Sequence, residues 1–271
     1  MKWCCGLLLS CLVLPASAYE RIASLNLCLD QLLLNWVAPE KIASVTWLSA
    51  NDQYRRAPLP GHVYLNRGQA EELLHLRPDL VLVGQYGGGR AAARLQALGV
   101  QVVRIPDAHN LEQLEQQLHQ LQQVLGPLPR LQAQRRRLRQ LLDRTAVDTS
   151  SRNRPGALIL SANNITYGDG MLEHQLLQQA GFANLAAEQG IHQLGRVSLE
   201  QVIAAQPELL VFYGGDSAFA LAHLASRHPV LRPYIDSGRI YTLPAELGYC
   251  PALVAVEVLR QLEEKRKTLG E

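Results

Sequence analysis

One unit is written twice in this chain, and it limits the fold more than any other feature. Glu71-Glu72-Leu73-Leu74-His75-Leu76-Arg77-Pro78-Asp79-Leu80-Val81-Leu82-Val83 has a counterpart in Glu200-Gln201-Val202-Ile203-Ala204-Ala205-Gln206-Pro207-Glu208-Leu209-Leu210-Val211-Phe212. Each copy reads as an acidic helix start, a Pro-acid turn and a short apolar run. Proline disfavours helix in the residue before it, and an apolar run of four or five residues has the length of a buried strand. A helix–strand unit repeated in the two halves of the chain predicts two pseudo-equivalent α/β lobes.

The rest of the pattern agrees. Short apolar runs alternate with helical periodicity, which predicts α/β architecture with mainly parallel sheets. Strands are expected over Arg21 to Leu25, Ile42 to Thr46, Leu80 to Val83 and Val100 to Ile105 in the first half. Ala157 to Leu160, Leu209 to Tyr213 and Arg239 to Leu243 are their counterparts in the second. Helices are expected over Leu29 to Trp36, Gln69 to Leu76, Arg90 to Leu98, Met171 to Ala180, Ser198 to Ala205, Ser217 to Ala225 and Pro251 to about Lys267. The middle differs. Leu111, Leu114, Leu118, Leu121 and Leu125 recur at three- and four-residue steps, as on one helical stripe, with Asn110 as its N-cap and Gly126-Pro127 as its stop. A second helix then carries Leu131, Leu138 and Leu142. The expected organisation is an N-terminal lobe over 19–126, a connecting helix over 127–150 and a C-terminal lobe over 151–271.

The first eighteen residues have the makeup of a cleavable export signal: Lys2, an apolar run from Leu7 to Leu14, and the small residues Ala16-Ser17-Ala18. Cys4, Cys5 and Cys11 lie within it, so only Cys28 and Cys250 remain beyond it, and the core rather than a disulfide framework must hold the fold. Formal charge is +2, which supplies no global field for nucleic acid. The basic run Arg135-Arg136-Arg137 and Arg139 is read as a solvated helix surface. No Gly-x-Ser-x-Gly elbow, phosphate-cradling loop or His-Glu-x-x-His pattern is present. Gly87-Gly88-Gly89 reads as a flexible turn, and His62, His192, His223 and His228 lack ligand spacing. An enzyme would need Cys28 as a nucleophile with a distant His, a pairing with no local support. For Cys28 and Cys250 three readings stand open: buried free thiols, a disulfide, or soft thiolate ligands for a metal.

Leu76-Arg77-Pro78-Asp79-Leu80-Val81, Arg196-Val197-Ser198-Leu199-Glu200-Gln201-Val202 and Gly238-Arg239-Ile240-Tyr241 carry a resemblance. The chain resembles, nearly end to end, the periplasmic solute-binding proteins of vitamin B12, haem and ferric-siderophore ABC importers. It is nearest to the vitamin B12-binding members around Val197 to Gly214. It departs from those members at Ala180, where one cysteine of a second-lobe disulfide would stand. The resemblance implies two lobes joined by one long rigid helix, a ligand cleft between them, and little closure on binding. It implies capture of a metal chelate by a monomer in the periplasm and delivery to a permease dimer, with no enzymatic activity and no cofactor beyond the ligand itself. Carried over loop by loop, the ligand contacts would come from Leu27 and Cys28, Trp47 and Tyr54, Asn66 and Arg67, and Gln85 and Tyr86 in the first lobe. In the second they would come from Asn163, Asn164 and Tyr167, then Tyr213, then Glu246, Tyr249 and Cys250. Glu71 and Glu200, at matching places in the repeat, would be the permease-docking acids, although a carboxylate there also suits the positive end of a helix dipole.

Overall fold

A computed structural model describes residues 19–145, 154–214 and 228–269. The expected helix over 217–225 and the export-signal segment lie outside them.

The first half forms a five-stranded sheet in the order β3-β2-β1-β4-β5, from β1 (Ile22–Ser24), β2 (Ile42–Thr46), β3 (Tyr64–Asn66), β4 (Leu80–Val83) and β5 (Val102–Arg104), every pair parallel. The second half forms a four-stranded parallel sheet in the order β11-β10-β6-β8, from β6 (Gly156–Leu160), β8 (Ala183–Asn184), β10 (Leu209–Tyr213) and β11 (Ile240–Leu243). A small antiparallel pair joins β7 (Ile165–Tyr167) to β9 (Leu194–Arg196). Gly168 lies beside that pair because a Cβ there would meet the Ile191 carbonyl oxygen at 2.0 Å.

Both main sheets are covered on each face, which is why their central strands are apolar runs rather than alternating ones. Leu80 and Leu82 of β4 face one core and Val81 and Val83 another; in β6, Ala157 and Ile159 part from Leu158 and Leu160 in the same way. The shared core is the larger. It runs from Ile22 and Leu33 in the first lobe through Leu118 and Leu138 to Ile159 and Val258 in the second.

The middle of the chain explains that continuity. Helix α4 (Leu111–Leu125) starts at Asn110, whose side chain accepts the Gln113 N–H, and ends at Gly126 with φ of 80°. Helix α5 (Pro129–Thr145) folds back on α4 and also packs against α1 (Leu27–Trp36) and α11 (Pro251–Thr268), which belong to opposite lobes. The strut is therefore stiff because its apolar stripe is part of both lobes' core. Of the basic run within it, Arg136, Arg137 and Arg139 lie on the exposed surface expected of them, and Arg135 departs from it. Arg135 is buried, donating to Glu115 at 2.7 Å and to Gln122 at 2.6 Å, and Arg139 donates to the same Glu115 at 2.8 Å. Position 135 lies four residues after Leu131 and three before Leu138, on the stripe that α4 covers.

The repeated unit has one structure in both lobes. Helix α2 (Ala70–Leu76) and helix α8 (Leu199–Ala205) each carry a capping box and stop at a left-handed residue, Arg77 with φ of 47° and Gln206 with φ of 44°. Proline follows and prevents continuation. The next acid then grips the neighbouring strand. Asp79 accepts from the N–H groups of Glu20 and Arg21 at 2.7 and 3.0 Å and donates its own N–H to the Arg21 carbonyl. Glu208 accepts from Gly156 N–H at 2.6 Å and donates to the Gly156 carbonyl. The Pro-acid turn thus sets the pairing of β4 with β1 and of β10 with β6.

In each sheet the strand that opens the lobe is central, with chain order reversing beside it: β1 between β2 and β4, β6 between β8 and β10. In open parallel sheets such a switch point leaves a crevice outside the carboxyl ends of the strands.

Candidate functional site

The loops at those carboxyl ends meet across the lobes and enclose a cleft of about 490 Å³. From the first lobe come Leu27 and Cys28 after β1, Tyr86 after β4, Asp107 and His109 after β5, and Gln117 of α4. From the second come Tyr167 of β7, Met171 and Glu173 where α6 (Leu172–Gln179) begins, Leu194 of β9, Tyr213 ending β10, and Leu247 to Tyr249 of α10 (Glu246–Tyr249).

Cys28 and Cys250 are joined as a disulfide, S–S 2.09 Å, between the first turn of α1 and the residue that caps α11. Cys28 lines the cleft and Cys250 is fully buried beneath it. Of the three readings open from sequence, the structure takes the second, and the bond ties one lobe to the other. Disulfide sulfurs are not thiolates, so metal ligation by this pair would require reduction first.

Tyr167 and Tyr213 stack with ring centroids 5.1 Å apart and an interplanar angle of 20°. Tyr213 donates its hydroxyl to Glu173 Oε1 at 3.1 Å. Burial first, and then the neighbouring Glu173 charge, raise the Tyr213 phenol, so it remains a donor. Burial also raises the Glu173 carboxyl, opposed by hydrogen bonding that includes the Tyr213 hydroxyl. Glu173 and Gln117 are each only 6% exposed. Glu173 Oε2, Gln117 Oε1 and the Tyr249 hydroxyl have no hydrogen-bond partner among the described residues. A buried acceptor left unmade costs about 1–3 kcal/mol, so these walls gain when donors reach them. Among the described residues lining the cleft there is no Lys or Arg, and two are carboxylates, Asp107 and Glu173.

A second hollow between the lobes, about 680 Å³, holds Tyr54 and Arg56 from the first lobe opposite Glu246 and its neighbours. Arg56 pairs with Glu246 at 3.1 Å, and the Tyr54 ring meets Tyr249 edge-on at 5.8 Å. These contacts fasten the lobes beside the disulfide.

The structure thus brings Leu27, Cys28, Tyr86, Tyr167, Tyr213 and Tyr249 to one cleft and Tyr54 and Glu246 to the adjoining hollow. Other candidates sit elsewhere. Trp47 is 56% exposed on the turn after β2, Arg67 is exposed after β3, and Asn163 is an exposed left-handed turn residue with φ of 56°; none of them, nor Asn164, lines either hollow. Asn66 is fully buried and donates to the Ser24 and Val45 carbonyls and to Ser44 Oγ, which locks β3 to its neighbours. Gln85 and Glu71 line a different hollow of about 870 Å³ within the first lobe, where Glu71 lies 3.5 Å from Arg94. Glu200 is exposed at its helix start, where a hydrogen bond with Ser198 lowers its carboxyl.

Glu173, Gln117, Asp107 and His109 escape sequence reasoning. Glu173 looks like an ordinary first-turn acid of α6, and Gln117 like one of the many polar residues between the leucines of α4.

Asp30, two residues after Cys28 on α1, positions the loop that carries Trp47. Its Oδ2 accepts from the Thr46 N–H at 3.0 Å, the Ser49 hydroxyl at 2.9 Å and the Thr46 hydroxyl. Complete burial pushes its carboxyl up to about 6, against the pull of those donors. The native state therefore holds a proton that the unfolded chain gives up near pH 4, and stability falls as pH rises from about 4 to 6. We expect Asp30→Asn to gain about 3 kcal/mol relative to the native protein between pH 4 and pH 7. Urea denaturation of both proteins across that range checks it; parallel curves would refute it.

Comparison with known proteins agrees with this architecture. Residues 22–247 match the sequence profile of a family described as periplasmic binding protein. The vitamin B12-binding protein of Yersinia pestis (strain Pestoides F) is 28% identical over 216 residues, 78% of this chain and 75% of its own. Among solved structures, the periplasmic haem-binding protein RhuT from Roseiflexus sp. RS-1 superposes with a TM-score of 0.67 at 23% identity, over 93% of this chain and 99% of that one. The vitamin B12-binding protein BtuF of Vibrio cholerae superposes with a TM-score of 0.61 at 18% identity, over 93% and 98%. No helix among the described residues is long and apolar enough to cross a membrane.

Proposed function

This chain belongs to the periplasmic binding protein family, and from that premise we propose that it is the substrate-binding component of an ABC importer, capturing a metal chelate and handing it to a membrane permease. The observation that carries the reading is the cleft itself. It opens at the carboxyl ends of two parallel sheets and is walled by four tyrosines, Tyr86, Tyr167, Tyr213 and Tyr249. Tyrosine offers a broad apolar face with a polar edge, which suits a large planar or macrocyclic ligand. The metal arrives inside the ligand, so no resident cofactor is required. The work is binding rather than catalysis, with export through the first eighteen residues.

The test is titration calorimetry of the purified protein with cyanocobalamin, haemin and a ferric siderophore. Saturable one-to-one binding of one of them supports the reading, and binding of none refutes it. Delivery has a separate test. Glu71 and Glu200 open the equivalent helices α2 and α8 of the two lobes, and we assign them to contacts with permease arginines. The pair Glu71→Lys with Glu200→Lys should weaken docking on the reconstituted permease more than tenfold and leave the Kd for the chelate unchanged. Unchanged docking would return both acids to a purely helix-capping role.

A further inference from the structure

The cleft wall holds a reactive bond that chelate capture does not use. Cys28 and Cys250 join the lobes across 222 positions, and their two sulfurs are not equally placed. Cys28 lines the cleft and is 6% exposed, whereas Cys250 is fully buried and lines none of the three hollows described above. A reagent in the cleft therefore meets the bond at Cys28. The rate of thiol–disulfide exchange depends on which sulfur is reachable and on how readily the other departs as a thiolate. Cys250 is the N-cap of α11, an 18-residue helix with no side-chain hydrogen bond at its cap. The positive end of a helix stabilises a thiolate, which offsets the burial that opposes one at Cys250. Position thus divides the roles: attack falls on Cys28 and departure on Cys250.

We infer that Cys28 is a thiol-exchange site inside the ligand cleft, open to small thiols and dithiols while the cleft is empty and closed to them when a ligand covers it. An incoming thiolate forms a new S–S bond to Cys28 Sγ. The Cys28–Cys250 bond breaks, and its electron pair leaves with Cys250 Sγ, which takes a proton from solvent. With a monothiol the product is a mixed disulfide on Cys28. The second thiolate of a dithiol attacks the reagent's own sulfur in that mixed disulfide and releases Cys28, which is protonated in turn. The dithiol is thereby oxidised to a disulfide by two electrons, and the bond between the lobes is reduced by the same two. Closure by ligand rests on the chelate-binding reading above; the reactivity of Cys28 is independent of it.

The experiment uses the oxidised exported protein, in which Cys28 and Cys250 are the only cysteines beyond the first eighteen residues. Brief exposure to mercaptoethanol, an acid quench and peptide mass mapping should place the adduct on Cys28 at least tenfold more often than on Cys250. Its rate should not change with urea below the unfolding transition. Equal adducts on the two sulfurs, or a rate that climbs with urea, would mean that the bond is reached only by unfolding and would overturn the assignment. The single variants give a second reading. Free Cys28 in Cys250→Ser should react with iodoacetamide at least tenfold faster than free Cys250 in Cys28→Ser, and equal rates would again overturn it. Reduction by dithiothreitol, in large excess over chelate, is then timed with cyanocobalamin, haemin and a ferric siderophore in turn. The chelate that binds by calorimetry should slow reduction at least tenfold. Full-speed reduction of the loaded protein would overturn closure by ligand. Binding of none of the three would remove chelate capture and closure together, and the adduct map would still decide the reactivity of Cys28.

Discussion

Reduction of the Cys28–Cys250 bond is expected to lower the stability of this protein by about 5 kcal/mol, the chain-entropy value for a loop of this size. The two cysteines are 222 positions apart, so the unfolded reduced chain regains nearly the whole freedom of the polypeptide. For a domain of this length each kcal/mol moves Tm by about 2–4 °C, and the melting temperature should drop by about 10–20 °C. The double variant Cys28→Ala with Cys250→Ala reproduces the loss without reductant. A second readout concerns the lobes. Among the contacts that remain between them beside the shared core are the Tyr54–Tyr249 edge contact, the hydrogen bonds of Gln175 with the Leu111 N–H and with Glu112, and the Arg56–Glu246 pair, the last partly exposed and worth about 0–1 kcal/mol. Small-angle scattering of the oxidised protein should show little change on adding ligand, and the reduced protein should be measurably more open before ligand is added. Quantitative thiol release with no change in Tm would show that the bond contributes nothing to the fold.

Truncation of Arg135 is the second large effect. Its guanidinium sits between α4 and α5 with Glu115 and Gln122, and side-chain exposures of 8% for Arg135 and 17% for Glu115 keep water from replacing it. Burial works against the Glu115 charge, but the hydrogen bonds from Arg135 and Arg139 overcome it and hold the carboxyl below its ordinary value. Removing one partner of a buried pair costs about 3–5 kcal/mol when the other charge is left unpaired; Arg139 stays on Glu115, so loss of Arg135 sits at the lower end, about 3 kcal/mol. Arg135→Ala should therefore destabilise the protein by that amount at neutral pH. Arg135→Met with Glu115→Leu should recover much of the loss, because apolar packing replaces the pair. The sign with pH follows from the depressed carboxyl. The pair's contribution is present above the unfolded Glu value and disappears as pH falls through the lower folded value, so the Arg135→Ala penalty should shrink in acid. Chemical denaturation at neutral and acid pH measures both. A penalty under 1 kcal/mol would mean that water enters the interface.

The strut α5 and the Cys28–Cys250 bond both resist relative motion of the lobes, so the cleft is largely preformed and little binding energy goes into closing it.

The repeated Pro-acid unit was legible before any coordinates because every part of it is local. Proline ends the helix, a capping box starts it, and an apolar run of strand length follows. Strands β4 and β10 begin and end at the expected residues for that reason. The edge strands β3 and β8 and the pair β7 and β9 were not legible. They are two or three residues long, too short to establish a period, and exist only because a neighbouring backbone offers hydrogen bonds.

What the amino-acid order determines by itself is the alternation of helix and strand, the faces that must be buried, and the duplication of one helix–strand unit. Tertiary structure alone decided that Cys28 meets Cys250, that Arg135 turns inward to Glu115, and that Glu173 and Gln117 share a cleft. The reason is the range of the forces: periodicity and turn chemistry act over a few residues, while a disulfide, a buried ion pair or a ligand wall is assembled from positions that only the packing of two sheets on a common strut brings within bonding distance.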